Sequence, residues 1–198
     1  LLETTDPSRY HFVKTDPIAF ALAQPLGFYD LIVLRVPEPS TLGLTRFHTV
    51  EFYEVLGRLL RPSGVLWTSV EATELLGVGT EFLPAAVWKS LRLVFPKVAA
   101  TYGSRIGFFA GREEAELPMD PQILADVGRR AGWRTPWFDP AFFETDEAND
   151  PFKRERVEDR LEKCSVEPLW RDRPVGHLLA LLRWSRQQGS PWAALLAR

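Results

Sequence analysis

The sequence predicts an α/β fold built on a mostly parallel sheet, and three observations carry that prediction. The run Leu31 to Leu34, entered through Tyr29-Asp30, is continuously apolar, which suits a strand buried on both faces. Phe52, Tyr53, Leu56, Leu59 and Leu60 then fall on one stripe of a helix that starts near Thr49. Pro62-Ser63-Gly64 ends that helix and delivers a second apolar run, Val65 to Val70. Strand, helix, strand is a crossover, so the two strands should lie parallel in one sheet. Ligands bind such sheets at the carboxyl ends of the strands, which makes the loop from Arg35 to Thr45 the first place to look for chemistry.

The remaining elements follow in order. Tyr10 to Thr15 alternates aromatic or β-branched residues with polar ones and reads as a short strand. Asp16-Pro17 opens a helix to about Gln24, with the acid as cap and proline at the first helical position. Pro84 to Phe95 is amphipathic, with Val87, Trp88, Leu91 and Phe95 on one face. Lys97 to Thr101 and Ile106 to Ala110 flank Tyr102-Gly103-Ser104-Arg105 and predict a hairpin. Asp120-Pro121 opens a helix that turns Ile123, Leu124 and Val127 inward and stops at Gly132. Trp133 to Pro151 has no period and reads as loop, with its tip near Asp146 to Asp150. Asp150-Pro151 caps a charged helix to Cys164, and Pro174 to Gln188 forms the last, with Val175, Leu178, Leu179 and Leu182 as its apolar face.

Composition narrows the function. A chain of 198 residues, 45% hydrophobic, can bury one sizeable core. A net charge of −2, with Lys and Arg scattered, gives no reason to expect nucleic acid. The single cysteine, Cys164, excludes an internal disulfide and fits a reducing compartment. His11, His48 and His177 stand far apart, without zinc-ligand spacing, so no metal is expected. No stretch reaches the roughly 18 apolar residues of a membrane helix. The chain opens on Leu1 rather than Met, and we expect it to be a fragment of a longer protein.

Several motifs together resemble one family. Tyr29-Asp30, four apolar residues, and then an acid before proline are followed by Glu51-Phe52-Tyr53 and Pro62-Ser63-Gly64-Val65. This order resembles the spermidine synthases, or polyamine aminopropyltransferases. Pro37-Glu38-Pro39-Ser40-Thr41 and Arg46-Phe47-His48-Thr49 are similar to the divergent bacterial versions fused to membrane helices. The resemblance implies the C-terminal half of a class I methyltransferase-like (Rossmann) fold over residues 1–145, with a helical extension over 146–198. It implies decarboxylated S-adenosylmethionine or S-adenosylmethionine as substrate, without a metal, and an amine or anionic acceptor. It also implies a cytoplasmic domain at the inner face of the bacterial inner membrane, tethered by flanking segments, and it allows a homodimer. On that view Ser190 to Leu196 resembles the start of a membrane helix.

The same resemblance marks the candidate site. Aminopropyl transfer needs an uncharged amine as nucleophile, so carboxylates must hold the cationic substrate and take up its proton. The family places one acid directly after the central strand and a second three residues later. Here these positions hold Arg35 and Glu38. A guanidinium is no base at neutral pH, and one about 4 Å from an ammonium would repel it by roughly 4 kcal/mol. Either Glu38 alone performs a related transfer, or Arg35 binds an anionic group, or the site is retired. Asp16 matches the family's acid that contacts the adenine amino group, and Asp172 matches a substrate-binding acid near the end. By position Glu71, after the second strand, joins them, and His48 is a base or a packing residue. Two further readings stand beside the synthase-like one: a non-catalytic sensing or assembly module of a membrane protein, and an S-adenosylmethionine-dependent methyltransferase.

Overall fold

The computed structural model describes residues 11–73, 76–77, 79–145 and 150–190. Tyr10, the loop tip at 146–149 and the apolar stretch 191–196 lie outside the described residues.

The elements, in chain order, are α1 (Pro17–Leu22), β1 (Tyr29–Leu34), α2 (Leu42–Thr45), a 3-10 turn (Arg46–His48), α3 (Val50–Leu59), β2 (Leu60–Glu71), α4 (Phe82–Val94), β3 (Lys97–Ala100), β4 (Arg105–Gly111), α5 (Pro121–Arg130), a second 3-10 turn (Pro140–Glu144), α6 (Pro151–Lys163) and α7 (Gly176–Gln187). Four strands form one sheet in the order β1-β2-β4-β3. The crossover makes β1 and β2 parallel, as expected. The rest of the sheet corrects the expectation of a mostly parallel one, because both other pairings are antiparallel and the sheet is mixed. Residues 101–104 join β3 to β4 through a tight turn, which permits only antiparallel pairing. That hairpin then docks through β4 rather than β3, giving β2 an antiparallel neighbour.

A second correction concerns β1. Its apolar run predicted a strand buried on both faces, yet β1 is an edge strand, and Leu31 and Val33 are 57% and 56% exposed. The expected strand ending at Thr15 does not form over 11–15, and Phe12 and Val13 stay exposed. Alternation alone does not make a strand, which also needs a ladder with a neighbour.

One face of the sheet carries the core. Leu34, Leu66, Val70, Ile106, Phe108 and Ala110 are buried there together with Phe52, Tyr53 and Leu56 of α3 and Val87, Trp88 and Leu91 of α4. The Trp88 and Phe108 rings stand 6.3 Å apart. Each such side chain contributes about 1.5–3 kcal/mol by leaving water. The opposite face, with Leu31, Val33, Trp67 and Phe109, is only partly covered. The last two helices pack on α4. Trp88 Nε1 donates to Glu162 at 2.8 Å, Lys89 Nζ to the Cys164 carbonyl at 2.6 Å, and the Leu169 amide to Ser90 Oγ at 2.8 Å. Two inward assignments are also corrected. Ile123 and Leu178 are exposed; the short residues Ala125 and Gly128 are buried in α5, and Gly176 and Ala180 are buried in α7 beside Leu182, which is buried as expected. Among the described residues, no helix is long and apolar enough to cross a membrane.

Candidate functional site

Glu38 follows β1 between two prolines, and Thr41 closes the loop by capping α2, its hydroxyl accepting the Leu44 amide at 3.2 Å. The Glu38 side chain is 15% exposed, so its carboxylate needs partners, and it has them on both oxygens. Oε1 accepts the Glu71 amide at 2.6 Å, at the carboxyl end of β2. Oε2 pairs with Arg183 of α7, whose side chain is only 7% exposed. The same Arg183 nitrogen donates to Glu71 Oε2 at 3.2 Å. Glu71 Oε1 in turn faces Arg105 Nη2 at 3.3 Å, and Arg105 Nη1 donates to Ser69 Oγ at 3.3 Å. Two carboxylates and two guanidiniums therefore alternate across the carboxyl ends of the parallel pair.

Burial pushes the Glu38 carboxyl above the usual carboxylate range, while Arg183 and the Glu71 amide pull it back down. A raised pKa suits a proton acceptor working near neutrality. Both oxygens already have partners, however, and an ammonium at Glu38 would compete with Arg183 for its charge.

His48, at the end of the first 3-10 turn, is fully buried, with Nδ1 3.3 Å from the Tyr53 hydroxyl. Its Nε2 has no hydrogen-bond partner among the described residues. Burial holds its pKa down at about 4, against the opposing pull of the Pro37 backbone, so it is a neutral packing residue at pH 7. Burial pushes the Tyr53 phenol well up, so it too stays neutral.

The structure separates the other candidates from this network. Arg35 is exposed and makes no hydrogen bond or ion pair with the described residues. Asp16 caps α1: its Oδ1 accepts the Ile18 and Ala19 amides at 3.0 and 3.2 Å, and its Oδ2 pairs with Arg46. The Ala19 amide, with Arg46 beside it, holds the Asp16 carboxyl below the usual range. Asp16 stands between Thr15 and Pro17, which line a cleft of about 450 Å³ against Phe20, Tyr29 and β1. Asp172 is exposed, without a hydrogen bond or ion pair among the described residues. Its neighbour Arg171 ties this segment to α3, through an amide 3.0 Å from Glu51. Among the described residues, no three His, Cys, Asp or Glu side chains converge as metal ligands.

Arg183 is the residue of this network that sequence reasoning missed. It lies four residues after Leu179, on the stripe that reads as the apolar face of α7, and a guanidinium in that position signals a carboxylate waiting opposite.

No family model matches this chain, and no curated protein matches it. Among solved structures it is similar to a probable spermidine synthase from Corynebacterium glutamicum ATCC 13032. The match has 19% identity and a TM-score of 0.41, and covers 59% of this chain and 42% of that one. The chain thus spans less than half the length of that protein.

Proposed function

We propose that the chain is a spermidine synthase-like domain that binds a nucleotide of the decarboxylated S-adenosylmethionine or methylthioadenosine type. One observation carries this reading: Glu38 and Glu71 meet at the carboxyl ends of adjacent parallel strands, where an open α/β sheet receives its ligand. Two carboxylates there suit the ammonium end of such a molecule, and the cleft beside Asp16 suits its flat nucleoside end.

Arg183 favours a second reading, in which the domain binds without transferring. Its guanidinium already engages the negative charge that Glu38 and Glu71 would offer an amine, and Arg35 stands where the resemblance expects the first acid. The experiment combines two measurements on the protein. Calorimetric titration with methylthioadenosine reads binding, and incubation with decarboxylated S-adenosylmethionine and putrescine reads transfer, with Glu38→Gln as reference. Nucleotide binding together with product above the Glu38→Gln background supports an enzyme. Binding with turnover equal to that of Glu38→Gln supports the non-catalytic domain. No binding at about 1 mM nucleotide, the regime of roughly −4 kcal/mol, overturns both.

A further inference from the structure

A cleft of about 550 Å³ on the open face of the sheet holds Val33, Arg35, Trp67, Ser69 and Arg105 on its walls. Register explains the assembly. Val33 pairs with Trp67 across β1 and β2, and Arg35 follows Val33 by two residues, so it continues the same face. Across β2 and β4, Trp67 pairs with Phe109, Ser69 with Gly107 and Glu71 with Arg105. Gly107 leaves the space that the Trp67 indole takes, since a Cβ there would stand 3.0 Å from Trp67 Nε1. The result is a cleft with an aromatic wall and two guanidiniums on its lining.

The charges are unbalanced. Arg105 is held by Ser69 and Glu71, and Arg183 by Glu38 and Glu71. Arg35 has no counter-charge among the described residues, and no carboxylate lines the cleft. Arg105 and Arg183 thus offset Glu38 and Glu71, and Arg35 is left as one positive charge in excess. A guanidinium fork matches a carboxylate in plane and in spacing. Exposed Val33 and half-buried Trp67 offer an apolar surface beside it.

We propose that this cleft binds a small monoanionic carboxylate with a flat apolar body, its carboxylate taken by Arg35 and Arg105 and its body laid over Trp67 and Val33. A monoanion balances the excess charge, whereas a dianion such as phosphate overshoots it and has no surface for the indole. This site uses neither Asp16 nor Glu38 as a ligand, although it shares Val33 with the cleft beside Asp16 and its Arg105 pairs with Glu71.

The test is a calorimetric titration with 2-naphthoate at low salt, beside its neutral analogue 2-naphthylmethanol. We expect saturable 1:1 binding of the carboxylate, weakened about tenfold or more in Arg35→Gln and in high salt, with the alcohol bound far more weakly. Arg35 is exposed and unbonded, so Arg35→Gln should leave the urea unfolding midpoint unchanged. Asp16→Asn should weaken methylthioadenosine and leave 2-naphthoate untouched, which separates failure of this site from failure of the nucleotide reading. Absence of saturable binding, equal affinity for acid and alcohol, or an Arg35→Gln variant that binds as tightly as the parent would each overturn the proposal.

Discussion

Two buried titratable side chains, His48 and Glu38, give the fold opposite responses to acid. His48 has a folded pKa of about 4 against an ordinary 6.5, so the unfolded chain binds its proton first. The stability it permits is complete above pH 6.5 and is lost as pH falls towards 4, by about 3 kcal/mol. Urea unfolding between these limits should show that loss, and His48→Gln should flatten it. A His48→Gln protein with the parental acid slope would mean that the ring is hydrated. Glu38 has the reverse sign: its raised pKa makes the fold the better proton acceptor, so its contribution falls as pH rises above the ordinary carboxylate range. Of the site residues, the carboxylates were readable because strand ends and proline-flanked acids leave a local mark. Arg183 was not, since its partner lies 145 residues away and only its place on an apolar stripe hints at burial.

At the scale of elements, the Asp-Pro pairs were the most legible signal. Asp16, Asp120 and Asp150 each cap the helix that their proline opens, as expected, while Asp139-Pro140, inside the stretch read as loop, caps a 3-10 turn. Local chemistry decides such caps, so sequence suffices. The hairpin and the stop at Gly132, where φ is +66°, were readable for the same reason. Less legible was the edge position of β1, because an apolar run reads alike whether its neighbours are present or not. The docking of α7 was also hidden, since it depends on a residue with no side chain. A Cβ at Gly176 would stand 2.9 Å from Thr45 Cγ2 and 3.2 Å from Pro39 Cβ. Gly176→Ala should therefore push α7 off the Glu38 loop at a cost of about 1–3 kcal/mol, read by urea unfolding. Gly43→Ala, whose Cβ would meet nothing closer than 3.9 Å, should cost nothing. Equal effects at the two glycines would show that α7 is not seated there.

Among the described residues, one layer of helices covers one face of the sheet while the β1 edge and part of the other face stay open. An exposed aliphatic edge strand without lysine or proline is a template for pairing. We expect the chain to associate as its concentration rises, and Val33→Lys to suppress this without lowering the unfolding midpoint, as measured by sedimentation velocity. Unchanged association in Val33→Lys would locate the contact elsewhere. The long-range ion pair also bears on how the protein is made. Synthesis proceeds from the amino end, so Glu38 and Glu71 exist, and the sheet between them can form, well before Arg183 is added. Until then Glu38 stands at the strand ends without its guanidinium, while Glu71 already faces Arg105. The charge that neutralises Glu38 thus arrives more than a hundred residues after Glu71, and the birth of α7 turns an open acidic mouth into a closed one.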